Sequence, residues 1–308
     1  MENILITTSS YGKEDPAPLE VLTEAGYNVI LNPYQRKLIQ GEVHDLISMH
    51  KPVGMIAGVE PLTAEVLKIA DKLKVISRCG VGLDNIDQEV AFERGIKIIN
   101  TPTAPCKSVA ELTVTLILAS LRKIVEANQS VKQGVWVRPR GQLLGGKVIG
   151  IIGCGRIGTT VASLLAGFDV KLLGFDAYLT EHYLIKLVNL DELITGSDII
   201  TLHLPLTEST EHMVNDTFLK SMQLGSILVN TSRGGLIDEQ ALYDNLLSGH
   251  LNSACIDTFE QEPYNGKLVK LPNAILTPHI GSYTRESRIS MEIEAALNLL
   301  ETLKSEVI

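Results

Sequence analysis

The chain contains no run of 18 consecutive apolar residues, so no membrane-spanning helix is expected. Its opening, "MENILITTSSYGKED", lacks the basic start and apolar core of a secretory signal, so none is expected there. The four cysteines, Cys79, Cys106, Cys154 and Cys255, are scattered, without C-x-x-C or metal-ligand spacing. No metal site is expected from them, and reduced thiols in the cytoplasm are. Grouped cations are lacking as well. The formal net charge is −9, and a diffuse acidic balance argues against nucleic acid as the partner, because phosphate backbones demand clustered Lys and Arg. A small anionic substrate needs only a few local cations and stays open. There is no repeat of fixed period and no low-complexity tract.

At 308 residues the length suggests two domains. Hydrophobic residues at 45% against 20% charged allow a sizeable core. Short β-branched runs alternate with helical patterns. "NILITT", "NVILNP", "PVGMIAG", "KVISRCG" and "IKIIN" read as buried strands, with helix-like segments such as "PLEVLTEAG", "EVHDLISMH" and "LTAEVLKIADKL" between them. Strict alternation implies a parallel sheet covered by helices on both faces. Residues 108–134 read as one long helix, apolar in its first half, with Ser108 and Glu111 spaced as a capping box; such a helix suits a connector between domains. Alternation then resumes through "VKLLGFD", "DIITLH", "SILVNTS", "NSACIDT" and "NAILTP". The expected fold class is α/β, with two doubly wound parallel-sheet domains.

"VIGIIGCGRIG" places Gly153, Gly155 and Gly158 in G-x-G-x-x-G spacing, between a strand and a helix pattern. The first glycine permits a tight turn, the second lets backbone approach a pyrophosphate, and the third lets the helix lie close to the strand. Amides near Arg156 and Ile157, at the helix N-terminus, can then hydrogen-bond phosphate oxygens. The next strand ends in Asp176, 18 residues after Gly158. A carboxylate there accepts from ribose hydroxyls and repels a 2′-phosphate, and no Arg or Lys follows in "DAYLTEH". The expected cofactor is NAD rather than NADP.

In open α/β sheets ligands bind beyond the carboxyl ends of the strands. "SILVNTSRGG" puts Arg233 at one such end, "NSACIDTFEQEP" puts Asp257, Glu260 and Glu262 at another, and "AILTPHIGS" puts His279 at a third. Reduction of a 2-oxo acid needs a cation to hold the carboxylate and polarise the carbonyl, and an acid to protonate its oxygen. The planar fork of arginine suits the first task. Histidine suits the second, and a carboxylate beside it favours the imidazolium.

With these segments in view, the chain resembles the D-isomer-specific 2-hydroxyacid dehydrogenase family. "GIIGCGRIG", Asp176, "HLPLTEST", "NTSRGGLIDEQAL", "DTFEQEP" and "TPHIGSYT" carry the likeness, in order, together with "SRCGVGLDNIDQEVAFERGIKIINTP" and "SVAELT". The resemblance implies a flavodoxin-like substrate domain from residues 1–102 and 280–308, a Rossmann NAD-binding domain over residues 103–279, an active-site cleft between them, and a homodimer. It implies Arg233, Glu262 and His279 as the catalytic set, choosing Glu262 over Glu260. It assigns Asp257 to the nicotinamide amide. Leu204, Pro205, Thr231, Ser232, Gly281 and Ser282 would line the cofactor. "CGVG" implies that the Val81 and Gly82 amides hold the substrate carboxylate, with Arg78 and Asn85 close by.

Within the family the likeness is greatest to D-3-phosphoglycerate dehydrogenases, in a short form without a C-terminal regulatory domain. One departure bears on substrate. Many phosphoglycerate enzymes carry an arginine after the third strand, whereas this chain reads "AGVEPLT", with Glu60 there. Arg36 and Lys37 in "NPYQRKL" are candidate replacements for a substrate phosphate, or a solvated helix start. The expected activity is NAD-dependent interconversion of a D-2-hydroxy acid and its 2-oxo acid, with glyoxylate or hydroxypyruvate reduction competing with phosphoglycerate oxidation. A non-catalytic dinucleotide-sensing scaffold is the rival from another class. The expected partner is a small anionic acid, not nucleic acid or a membrane.

Overall fold

A computed structural model describes residues 1–305. It divides into two compact units, one of residues 1–105 with the chain from 282 onward, the other of residues 106–281.

The first unit is built on β1 (Asn3–Ile6), β2 (Asn28–Leu31), β3 (Gly54–Ala57), β4 (Val75–Arg78) and β5 (Lys97–Asn100). They form a parallel sheet in the order β2-β1-β3-β4-β5, the doubly wound order of flavodoxin-like folds. Successive side chains point to opposite faces. On one face Leu5, Met55 and Ile76 pack with Val43, Leu46, Val66 and Leu67 of helices α2 (Gln40–His50) and α3 (Ala64–Lys68). On the other, Ile4, Ile6, Ile56 and Val75 meet Met291, Ala295 and Leu299 of a C-terminal helix (Arg285–Ser305). Helix α1 (Ala17–Glu24) lies against that helix. α4 (Gln88–Glu93) starts where the Asp87 side chain accepts from the Val90 amide. Burial on both faces explains why the central strands β1 and β3 read as apolar runs.

The second unit opens with α5 (Cys106–Leu121) and α6 (Ile124–Lys132). Then follow β6 (Val148–Ile152), α7 (Arg156–Leu165), β7 (Lys171–Phe175), β8 (Lys186–Leu187), α8 (Leu190–Gly196), β9 (Ile199–Leu202), α9 (Asp216–Ser221), β10 (Ile227–Asn230), α10 (Glu239–Leu247), β11 (Ser253–Ile256) and β12 (Ala274–Leu276). All ladders are parallel, in the order β12-β11-β10-β9-β6-β7-β8. Asn189, Asn215 and Asp238 cap α8, α9 and α10, each accepting from a first-turn amide. β8 is a two-residue edge too short to leave a pattern in sequence.

Three expectations need correction. The single helix over 108–134 is two helices, broken at Lys123, which has φ of +54°. The Leu121 carbonyl instead accepts from the Gln142 amide at 2.8 Å, and α6 has no buried residue to extend the apolar face of α5. Ser108 is no N-cap, because the helix already starts at Cys106; its hydroxyl donates to the Gly281 carbonyl at 2.7 Å. The unit boundaries fall at 105/106 and 281/282 rather than 102/103 and 279/280. The Thr103 hydroxyl and the Ala104 carbonyl bond Glu294 and Ser287 of the C-terminal helix, while Gly281 is tied to Ser108 and Asp257.

Candidate active site

Because every strand of the second unit runs the same way, all its strand ends lie along one edge. β6 is flanked by β9 on one side and β7 on the other, which makes its carboxyl end the switch point where dinucleotides bind in such sheets. The glycine turn sits there. A Cβ on Gly153, with φ of +93°, would lie 2.5 Å from the His203 carbonyl oxygen, and one on Gly158 would lie 2.1 Å from that of Gly153. Gly155 has nothing within 4 Å of where a Cβ would be. No side chain caps α7, so the amides of its first turn, near Arg156 and Ile157, are left for a ligand. This cradle fits a pyrophosphate.

Asp176 is fastened to the same turn. One carboxylate oxygen accepts from the Cys154 amide at 2.9 Å, the other from the Tyr178 and Leu179 amides at 2.9 and 3.2 Å. Burial, with the Asp176 charge beside it, pushes the Cys154 thiol up to about 12, so it is inert as a nucleophile. His182 belongs to this corner, and no pattern in the sequence singled it out. Its Nδ1 accepts from the Leu184 and Ile185 amides, so its Nε2–H donates to Thr159 Oγ1 at 2.9 Å, whose hydroxyl donates to the Cys154 carbonyl.

β10, β11 and β12 are neighbours, and they deliver Arg233, Glu262 and His279 respectively. His279 Nδ1 lies 2.9 and 3.0 Å from the two carboxylate oxygens of Glu262. An ionised carboxylate only accepts, so Nδ1 carries the hydrogen and Nε2 is left to exchange a proton. The imidazole is 40% exposed and its partner 36%. Glu260 goes elsewhere, to His212. The Arg233 loop is braced by Asn230, which is fully buried. The Asn230 amide group donates to the Arg233 carbonyl at 2.8 Å, and its oxygen accepts from the Ser232 amide at 3.0 Å. The Ser232 hydroxyl reaches back to the Leu202 carbonyl, and buried Thr231 meets Thr113 at 2.9 Å. Leu204 is half-buried and Pro205 exposed at the end of β9.

Asp257 is fully buried, and burial raises its carboxyl pKa against the hydrogen bonds that lower it. Its oxygens accept from the Thr277 hydroxyl and from the Ile280 and Gly281 amides at 2.9 and 2.8 Å. It therefore anchors the turn in which His279 adopts φ of +54°. The Gly281 amide and carbonyl are both engaged, with Asp257 and Ser108, which leaves that carbonyl one further accepting site. Ser282 falls in the first unit.

In the first unit, Arg78 is buried at the end of β4, with Nη1 donating to the Cys79 carbonyl. Asn85 is a brace, because its amide hydrogens go to the Gly58 and Glu60 carbonyls at 3.2 and 2.7 Å. Val81 is exposed and Gly82 half-exposed in the turn between them. Glu60 does not face outward, as a residue in conflict with a bound anion would. It is buried and accepts from the Thr7 hydroxyl and the Gly58 amide. Arg36 is gripped by both oxygens of Glu42, at 2.9 and 2.5 Å, and lies over the Tyr34 ring; Lys37 is exposed.

The model for the NAD-binding domain of D-isomer-specific 2-hydroxyacid dehydrogenases matches residues 114–281. A hydroxypyruvate reductase of Thermotoga maritima is 42% identical over 256 residues, covering 81% of this chain and 84% of the relative. A D-3-phosphoglycerate dehydrogenase of Methanocaldococcus jannaschii is also 42% identical over 80% of this chain, which spans only 48% of that relative. Among solved structures, a Thermus thermophilus protein superposes with a TM-score of 0.89 at 35% identity, covering 98% of this chain and 97% of the other. The chain therefore belongs to the D-isomer-specific 2-hydroxyacid dehydrogenase family and is an NAD-dependent oxidoreductase of D-2-hydroxy acids.

Proposed function

We infer that the chain interconverts a small, unphosphorylated D-2-hydroxy acid of the glycolate or glycerate type with its 2-oxo acid. The observation that carries the chemistry is the His279–Glu262 contact at 2.9 Å, one strand away from the Arg233 loop. NAD(H), when bound, supplies or takes up the hydride. Glu262 fixes the imidazole through Nδ1, and Nε2–H gives its proton to the carbonyl oxygen during reduction. The Arg233 guanidinium pairs with the substrate carboxylate and polarises the adjacent carbonyl. Gly153, Gly155, Arg156, Ile157 and Gly158 hold the pyrophosphate, and Asp176 the adenosine ribose. Within the first unit, the Val81 and Gly82 amides are the proposed donors to an anionic group.

The unphosphorylated substrate is supported by the engagement of Arg36. A guanidinium already held by both oxygens of Glu42 gives up a strong bidentate pair to bind a phosphate. Lys37 keeps 3-phosphoglycerate as the second reading. Steady-state NADH oxidation with glyoxylate, hydroxypyruvate and phosphohydroxypyruvate separates the two. The expected result is a kcat/KM for hydroxypyruvate at least about tenfold above that for its phosphorylated form; the reverse order rejects it. The same assay tests the scaffold reading, which requires no turnover at all.

The homodimer is supported by the stretch around α6. Ile124, Val131, Val137 and Leu143 are exposed there, and Trp136 is 78% exposed. Such apolar surface marks a contact face, and a second copy of the chain is the proposed occupant. Sedimentation should give a dimer that Trp136→Glu weakens.

A further inference from the structure

The loop that carries Glu262 holds a second carboxylate–histidine pair. Glu260 Oε1 lies 2.7 Å from His212 Nε2. A carboxylate only accepts, so His212 donates. His212 has φ of +48°, and its amide donates to the Gly235 carbonyl at 2.8 Å, two residues beyond Arg233. The Glu260 amide in turn donates to Oε1 of Glu239, at the start of α10, at 3.0 Å. Glu262 is tied into the same few residues, since its Oε1 accepts from the Phe259 amide at 3.2 Å. The Phe259 amide that holds Glu262 and the Glu260 side chain that holds His212 sit on adjacent residues, so a movement of this backbone moves the carboxylate that orients His279.

The geometry points to His212 and Glu260 as a positioning pair, which sets the backbone from which Glu262 reaches His279 Nδ1. Neither touches the reacting atoms. His212 and Glu260 are 49% and 41% exposed, and a side-chain contact so open to water contributes little to stability. Its effect falls on rate, because a misplacement of about 1 Å at a reacting centre costs on the order of 100-fold. For its kinetic arm this inference rests on the hydride-transfer reading above.

The test compares Glu260→Ala, Glu260→Gln and His212→Ala. Glu260→Ala and His212→Ala should lower kcat about 10- to 100-fold, with NADH affinity and melting temperature little changed. Glu260→Gln keeps an acceptor for His212 and should recover most of the loss. In a Glu262→Ala background, His212→Ala should add no further loss, because it acts through Glu262. Independently of turnover, the proton resonance of His279 Nδ1, hydrogen-bonded to Glu262, should shift or broaden in Glu260→Ala and persist in Glu260→Gln. Full kcat in both alanine variants, an equal loss in the Glu262→Ala background, or an unchanged His279 resonance overturns the proposal. Should Glu260→Ala fail to fold, His212→Gln reads the same resonance. If the unaltered protein reduces no 2-oxo acid, the hydride-transfer reading fails, while the resonance still decides whether the pair positions Glu262.

Discussion

Gly234 and Phe259 touch backbone to backbone. A Cβ on Gly234 would lie 1.9 Å from the Phe259 carbonyl carbon and 2.3 Å from the Glu260 nitrogen. The loop of the arginine and the loop of the glutamate are thus pressed together at a point that only glycine permits.

Gly234→Ala should force these loops apart. Overpacking of this kind costs about 3 kcal/mol, and activity should fall further than stability because Arg233 and Glu262 flank the contact. Urea unfolding checks the first part and kcat the second; an unchanged midpoint would mean that the loops separate freely.

Asp176→Ala should weaken NADH binding about tenfold or more, since a ribose acceptor is lost and the Cys154, Tyr178 and Leu179 amides lose theirs. NADPH should lose less, because the carboxylate that repels a 2′-phosphate is gone. Titration of NADH fluorescence reads both affinities. Equal losses for the two cofactors would reject the ribose assignment.

Burial lowers the His203 pKa from an ordinary 6.5 to about 3, and its Nδ1 is buried without a partner. The native state therefore holds this imidazole neutral where the unfolded chain takes up a proton. That stability is fully present above about pH 6.5 and is lost progressively as the pH falls toward 3. The raised carboxyls of Asp257 and Glu292 act in the opposite sense, favouring the fold as they protonate. His203→Asn should shrink the gap between urea midpoints at about pH 7 and about pH 4.5; an equal gap would place the acid sensitivity elsewhere.

Much of this was legible in sequence for a physical reason. Parallel strands covered by helices are rich in apolar residues, so the strands other than the two-residue β8 stood out as short apolar runs, and the order of strand ends followed from alternation. The glycine turn was readable because only glycine satisfies the close approaches at Gly153 and Gly158. Asp176, Glu262 and His279 were readable as polar residues placed just after apolar runs, aided by the family likeness. The rest depends on contacts between distant segments, which leave no periodic trace. His182 with Thr159, His212 with Glu260, and Gly234 with Phe259 are pairs 23, 48 and 25 residues apart. The anchoring of the His279 turn by Asp257 leaves no trace in sequence, because its partners, the Ile280 and Gly281 amides, are backbone groups that every residue type offers. The pairing of Arg36 with Glu42 leaves no trace either, because Glu42 stands six residues on, off any helical spacing.

The most direct measurement is single-turnover reduction of hydroxypyruvate by NADH in the unaltered protein and in His279→Ala. The expected result is a rate about 100- to 10,000-fold lower in the variant, with NADH affinity retained and the acid-base step, not cofactor binding, impaired. Undiminished hydride transfer in His279→Ala would contradict the role of the imidazole, and no transfer in the unaltered protein to any 2-oxo acid would contradict the chemistry itself.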